Sequence, residues 1–417
     1  MDKLVIEGGK KLFGKVSISG SKNAVLPIMV ATIIEPGNYI IEKVPKLRDT
    51  FTMIKLLEIT GAEVDFNEDV LTIDTSNCNN PEAPYDLVKT MRASFYVLGP
   101  FLSRFGYAKV SMPGGCAWGP RPIDYHIDAI KQIGANVNLL DGYIIAKGEK
   151  LKGGEINFPV SSVGATGNAV MAAVKANGTT KILNAAIEPE ITSLCEFLNS
   201  MGGDISGIGT NQLLIKGVDK LKPANCKIIP DRIEAATFLI AGAACGEKLK
   251  INDVNPKHLE VIIQFLRKVG CEINVFTNSI EITKPQKILP VSMETAIYPG
   301  FPTDVQAQWM ALMSLASGNS TIIDTVYHDR FTHISELLRL GADITLKYNV
   351  AQIKGVNQLF GTNVMSTDIR ASASLIIAGL AAEGITEVSR IYHIDRGYEN
   401  IEQKFNSINA NIKRIKE

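Results

Sequence analysis

Apolar and polar positions alternate along this chain in a cycle of roughly seventy residues that recurs six times. The plainest mark of the cycle is an apolar residue, then Gly-Ala or a near match, then polar-apolar. It reads Ile59-Thr60-Gly61-Ala62-Glu63-Val64 in the first copy and Leu340-Gly341-Ala342-Asp343-Ile344 in the fifth. The marks fall at 61, 134, 202, 270, 341 and 409, which are 73, 68, 68, 71 and 68 residues apart. A second mark keeps step with the first. An apolar stretch ends at Gly37, Gly106, Gly178, Gly246, Gly318 or Gly384, and a β-rich run follows each one.

Each copy opens on a helix that is apolar almost all round, as in 163–176, 233–245 and 371–382. A helix without a polar face belongs in an interior, and these runs are too short to cross a bilayer. The glycine of the second mark is expected to cap the helix in the left-handed conformation. A short strand follows, such as 180–183 or 320–323. Then comes an amphipathic helix, where Ile334, Leu337, Leu338 and Gly341 are expected on one face and Glu336 and Arg339 outside. Two strands finish the copy, as in 343–346 and 350–354. The expected class is α/β, with buried helices in the middle and sheet and amphipathic helices around them.

The sixth copy has one closing strand, 411–415, and then the chain ends. Its missing strand is at the other terminus, where Leu4-Val5-Ile6-Glu7-Gly8 resembles Leu213-Leu214-Ile215-Lys216-Gly217. The N-terminal segment is therefore expected to pair with the C-terminal half. That gives two similar domains of three βαβαββ-type units each: 1–20 with 230–417, and 21–229.

Composition narrows the function classes. Lys plus Arg total 43 and Asp plus Glu total 43. Such a balance argues against a nucleic-acid binder, whose affinity rests on neutralising phosphates. The six cysteines stand singly at 78, 116, 195, 226, 245 and 271. None forms a CxxC pair, so neither a zinc site nor a disulfide framework is indicated. There is no leader pattern at the start and no membrane span, which makes a reducing cytoplasm the expected compartment.

Candidate chemistry collects where the buried helices begin. Lys22 and Asn23 follow Ser21 in the first copy, Arg92 lies in the second, and Ser161, Ser162 and Gly164 lie in the third. Asp231 and Arg232, then Thr303 and Asp304, then Asp368 and Arg370 mark the remaining three. Helix N-termini attract anions. N-capping accounts for Ser21, Ser162, Thr303 and Asp231. It does not account for Lys22, Arg92 or Arg370, because a cation is disfavoured there unless an anion is near. A loop with three glycines and three prolines, from Pro113 to Pro122, carries Cys116 close to Arg121. Both features favour a reactive thiol, and an idle cysteine at a hairpin tip is the equal alternative. Arg330 and Arg396 hold matching positions in the fifth and sixth copies, where partners Asp329 and Asp395 would make ordinary ion pairs. Together these cations suit a site for phosphate and carboxylate groups.

These residues carry a resemblance. GSKNA (20–24), MRASFYVLGP (91–100), PGGCAWGPRPIDYH (113–126), SVGAT (162–166) and FPTDVQAQ (301–308) stand in order along the chain. So do TDIRASASLIIAGL (367–380) and RIYHIDRGYENIE (390–402). The sequence resembles the enolpyruvyl transferase family, and within it the UDP-N-acetylglucosamine 1-carboxyvinyltransferases. The resemblance implies an inverse (inside-out) α/β barrel in two domains. It implies transfer of the enolpyruvyl group of phosphoenolpyruvate to the 3-hydroxyl of UDP-N-acetylglucosamine, with phosphate released and no cofactor or metal.

By position, Lys22, Asn23, Arg121, Arg330, Arg370 and Arg396 are implied to bind phosphoenolpyruvate. Arg92, Arg121, Pro122, Ile123, Asp124 and Tyr125 are implied to hold the nucleotide sugar, as are Ser162, Val163, Gly164, Asp304 and Val326. Cys116 is implied to be the proton donor and the site of a covalent adduct, with Asp304 taking the sugar hydroxyl proton. A site shared by two domains is expected to close on its ligands. Many family members carry a lysine just before SVGAT, where this chain reads Phe158-Pro159-Val160-Ser161. The rival acceptor is that of the shikimate-pathway enzyme, which shares the six-unit plan. A non-catalytic repeat scaffold is the rival of another class, and it offers no reason for cationic helix starts.

Overall fold

The computed structural model describes residues 2–112 and 123–416. They fall into two compact units, Gly20–Ile229 and the segment Met1–Ser19 together with Pro230–Glu417. Gly20 goes with the residues after it rather than with the first nineteen. Its backbone packs on Lys43, and a Cβ at Gly20 would lie 1.9 Å from the Lys43 carbonyl oxygen.

Each repeat is strand, buried helix, strand, second helix and two strands, and each sheet has four strands in the order first, second, fourth, third. In the third repeat the opening strand Glu155–Asn157 runs parallel to Thr179–Leu183, with Ile156 opposite Ile182. Thr179–Leu183 then pairs antiparallel with Gln212–Lys216, and that strand with Asp204–Ser206. Alternate residues such as Ile182 and Ile215 point inward and are fully buried, which is the period-two pattern of a half-buried strand.

The N-terminal arm supplies strands to two sheets. Asp2–Glu7 inserts between Ile385–Ser389 and Asn411–Lys416, antiparallel to both, and completes the sixth repeat. Leu12–Ser17 lies parallel to Gly246–Asn252 and opens the fourth. The first repeat borrows its opening strand in the same way, from Cys226–Lys227 beside Ile41 and Glu42. Leu4, Ile6 and Leu12 are fully buried, so the arm is part of the core and not an appendage.

Within each unit three helices form the centre. They are Lys22–Ala31, Leu98–Phe105 and Val163–Ala173 in one, and Arg232–Cys245, Gln306–Met313 and Ile369–Ala381 in the other. Every residue from Ile233 to Cys245 is buried, and each unit has its own apolar core. Sheets and amphipathic helices lie outside these helices, which is the inside-out α/β arrangement expected from the sequence. No described helix is long and apolar enough to cross a membrane.

Three local expectations are corrected. Positive φ occurs in both sets of marks, at Gly37, Gly106, Gly178 and Gly384 as well as at all six of the first set, but in the second set it seldom caps the buried helix. Gly61 and Gly270 cap their helices in that conformation, and Gly134, Gly202, Gly341 and Asn409 share the positive φ. Asparagine tolerates this region better than other side chains do. Of the second set only Gly106 is a left-handed cap on its buried helix. Gly246 is extended because its helix runs straight into a strand. Leu338 is 45% exposed, and the inner face is instead Phe331, Ile334, Leu337 and Leu340. Thr303 is not a cap: it begins a 3-10 turn after Pro302, and its hydroxyl donates to Asp324.

Candidate active site

The fifth and sixth repeats bring three of the expected residues into direct contact. Thr303–Val305 is a 3-10 turn leading into Gln306–Met313, and it presents Asp304. Arg330 donates to Asp304 Oδ1 at 2.7 Å. Arg370, on the first turn of Ile369–Ala381, reaches Asp304 Oδ2 at 3.3 Å. Burial by itself would raise the Asp304 carboxyl, but the charges of Arg370 and Arg330 outweigh it and hold the group well below the usual carboxylate range.

The anion that permits these cations near helix starts is therefore a carboxylate of the chain. Asp368 caps the Arg370 helix, accepting from the Arg370 and Ala371 N–H groups. Arg330 pairs with Asp304 rather than with Asp329, and Asp395 pairs with Arg414 at 2.7 Å. Arg396 stands half-buried at the end of the turn Ile391–Arg396.

Beneath Asp304 the three buried helices share a polar floor. Gln308 Nε2, with two protons to give, lies 3.1 Å from the Asp304 carbonyl, 3.2 Å from Thr237 Oγ and 3.3 Å from the Tyr398 hydroxyl. Tyr398 and Thr237 are 2.8 Å apart, and Arg370 reaches the Tyr398 hydroxyl at 3.5 Å. The network fixes the depth of Asp304 and Arg370 against one another. Val326 is 45% exposed on the turn before Arg330, and its N–H is held by Asp324.

The other unit carries the remaining described candidates. Lys22 and Asn23 begin the helix Lys22–Ala31, and Lys22 Nζ lies 3.3 Å from Asp49 Oδ2, which is itself 4% exposed at the side chain. Arg92 begins the turn Arg92–Val97, which packs on the helices Lys22–Ala31 and Val163–Ala173. Ser162 caps that last helix, accepting from the Ala165 N–H at 3.4 Å. Asp124 and Tyr125 are on the first turn of Asp124–Gln132. Ile123 is 8% exposed and its side chain sits in the core.

His126 ties these segments together. A side chain at Gly164 would lie 2.9 Å from His126 Cε1, so only glycine lets Val163 and Gly164 settle on the imidazole. Asn168 Oδ1 accepts from the Gly99 N–H at 2.8 Å, which leaves the Asn168 amide nitrogen to donate to Phe95 O and to His126 Nδ1 at 2.8 Å. The His126 proton is thereby placed on Nε2. Burial, with the charge of Arg92, pushes the His126 pKa down to about 3, so the ring is neutral.

Cys116, Arg121 and Pro122 lie outside the described residues. The other five cysteines are unpaired. Burial pushes Cys195, Cys226, Cys245 and Cys271 up to about 12 and raises Cys78. In the segment 158–161 no cation is present, and Val160 is 55% exposed there.

Sequence reasoning missed Asp49, Asp324, Gln308 and Asn168. Asp49 lies far along the chain from Lys22, and Asp324 from Thr295 and Thr303, and only folding joins them. Gln308 and Asn168 were visible as polar residues inside apolar helices, and that interruption was the available signal.

A family model described as EPSP synthase (3-phosphoshikimate 1-carboxyvinyltransferase) matches residues 6–405. A protein of Chloroherpeton thalassium named UDP-N-acetylglucosamine 1-carboxyvinyltransferase is 55% identical over 417 residues, 99% of this chain and 97% of the relative. A protein of Chlorobaculum parvum with the same name is 53% identical over 99% and 98%. Among solved structures, the enolpyruvyl transferase NikO from Streptomyces tendae has a TM-score of 0.88 at 25% identity, covering 99% of this chain and 98% of its own. An EPSP synthase from Acinetobacter baumannii has a TM-score of 0.77 at 18% identity over the whole of both chains, a likeness of fold alone.

Proposed function

The chain belongs to the EPSP synthase family of enolpyruvyl transferases, and from that premise we propose that it acts on UDP-N-acetylglucosamine. It transfers the enolpyruvyl group of phosphoenolpyruvate to the sugar 3-hydroxyl and releases phosphate, the first committed step of peptidoglycan precursor synthesis. The observation that carries the choice of acceptor is whole-chain identity above one half to proteins of that name. The shikimate-pathway enzyme is represented at 18% identity, too distant to carry an acceptor. Unpaired cysteines fit a reducing cytoplasm.

The reaction adds the 3-hydroxyl oxygen to C2 of phosphoenolpyruvate while C3 gains a proton. C3 then loses a proton as the C2–O bond to phosphate breaks. Asp304 takes the hydroxyl proton, and Cys116 donates to C3 and so must not be wholly thiolate at working pH. Lys22, Arg121, Arg330, Arg370 and Arg396 offset charge on the phosphate and carboxylate, with Asn23 orienting the donor. The acceptor set is Arg92, Arg121 to Tyr125, Ser162 to Gly164, Asp304 and Val326.

The clamp on Asp304 bears on this scheme. A carboxylate held well below its usual range is a weak base. Arg330 and Arg370 are the groups assigned to the anionic donor, so its arrival competes with Asp304 for both cations. Weakening the clamp raises the basicity of Asp304 at the moment a proton must be accepted. The test of the whole reading is phosphate release from phosphoenolpyruvate, measured with UDP-N-acetylglucosamine, with shikimate 3-phosphate and with neither. Release that depends on the nucleotide sugar is expected, and equal release with shikimate 3-phosphate rules the acceptor out.

A further inference from the structure

The residue after the second strand behaves differently in the fifth repeat, and in the second, where Met112 has no positive φ and bonds Gly142 through its own N–H. At this position Lys43, Asn184, Asp253 and Arg390 are all left-handed, with φ of 59°, 55°, 56° and 56°. In three of those repeats the next N–H, that of Val44, Ala185 or Val254, then bonds the carbonyl of the closing hairpin. In the fifth repeat Asp324 holds the position without a positive φ, and its own N–H makes that bond, to Asn349. The chain leaves the strand one residue sooner, and a side chain replaces the left-handed kink as the organiser of the turn.

That side chain is fully buried and accepts four hydrogen bonds. Asp324 Oδ1 takes the Thr295 hydroxyl at 2.7 Å and the N–H groups of Val326 and Tyr327 at 3.1 and 2.8 Å. Oδ2 takes the Thr303 hydroxyl at 2.7 Å. Because Thr303 spends its only proton on Asp324, it can only accept on its other side. There Arg330 Nη1 donates to it at 3.2 Å, and the same nitrogen donates to Asp304 at 2.7 Å. A directed chain thus runs from Arg330 through Thr303 to Asp324.

We infer that Asp324 is a positioning residue for the proposed reaction, which sets Arg330 against Asp304 through the Thr303 hydroxyl and fixes the Val326 turn through backbone N–H groups. The inference rests on that reaction for what the geometry serves. It predicts two separable arms. Loss of the Thr303 arm misplaces Arg330 and Asp304 and acts on turnover. Loss of Asp324 acts on turnover and on nucleotide-sugar binding through Val326.

The test compares Thr303→Val, Thr303→Ser, Asp324→Asn and the Thr303→Val/Asp324→Asn double variant in the full chain. Valine keeps the shape of threonine without its hydroxyl, and serine keeps the hydroxyl. Thr303→Val is expected to lower kcat by about 10- to 100-fold, the scale of a misplaced catalytic group, with a smaller loss of UDP-N-acetylglucosamine affinity than in Asp324→Asn, which loosens the Val326 turn as well. Thr303→Ser is expected to restore kcat. Asp324→Asn is expected to lower kcat and weaken that affinity together, and the double variant to lose no more kcat than Asp324→Asn alone, since both break one chain. Wild-type kcat in Thr303→Val, or an equal loss in Thr303→Ser, overturns the inference. If Asp324→Asn does not fold, the two Thr303 variants decide it alone. Wild-type protein inactive on both substrates overturns the reaction instead. A crystal structure of Thr303→Val then decides the inference by itself: Arg330 displaced from Asp304 upholds it, and the ion pair retained in place overturns it.

Discussion

Arg330 Nη1 lies 2.7 Å from Asp304 Oδ1, two residues separated by the helix Gln306–Met313, a strand and a turn of the same repeat. With Arg370 on the other oxygen, the carboxylate is locked in its charged form and in one place. Replacing it with the isosteric amide removes the proton acceptor and leaves two buried cations sharing no anion. Asp304→Asn is expected to lower kcat by about 100-fold or more, as measured by phosphate release at saturating substrates.

The same pair sets a pH dependence. In Arg330→Gln one of two cations is gone, so the Asp304 carboxyl rises towards its ordinary range. Protonation then disables it at a higher pH than in the wild type. The acid limb of the kcat profile is expected to shift upward in Arg330→Gln. A limb that stays where it is in the wild type would show that Asp304 is not the titrating base.

Thiol chemistry should be confined to one cysteine. Burial keeps the five described thiols protonated at neutral pH, four of them with pKa values of about 12. A thiolate-seeking phosphonate epoxide such as fosfomycin is therefore expected to modify Cys116 and spare the rest. Peptide mapping checks this, and Cys116→Ser should lose both the label and most activity. Adduct chiefly on Cys195, Cys226 or Cys271 would contradict the assignment.

His126 makes acid stability a local property. Its folded pKa of about 3 lies below the ordinary histidine value of 6.5. Between those values the unfolded chain binds the extra proton, so stability is full above about pH 6.5 and falls as the pH drops towards 3. The slope from this one group is about 1.4 kcal/mol per pH unit. Denaturant titrations at several pH values should show His126→Gln losing that share of the slope. His333, buried and pushed down to about 4, supplies a second share in the other unit, and it remains in the variant.

The N-terminal arm is expected to behave as core. Leu4 is fully buried between two strands. Leu4→Ala should cost about 2–5 kcal/mol, the range for a large-to-small change in a packed interior. Hydrogen exchange should then rise in 385–389 and 411–416, the strands flanking the arm, before it rises in the unit Gly20–Ile229.

The sequence by itself determined the six repeats, the buried helices and the pairing of the N-terminal strand with the last repeat. Those features follow from local periodicity, since an all-apolar helix has nowhere to go but inside and a half-finished sheet needs its fourth strand. It also singled out Lys22 and Arg370, because a cation at a helix start is out of place unless an anion answers it, and Arg330 by its matching position in the fifth and sixth copies. Only tertiary structure decided what answers it. Asp49 for Lys22, and Asp304 for both arginines, are brought near by chain folding across 27, 26 and 66 residues of sequence. Asp324 was invisible for the same reason. Its four donors come from three separate segments, and a carboxylate at the end of a strand looks like any other until burial removes water and leaves those donors as its only partners.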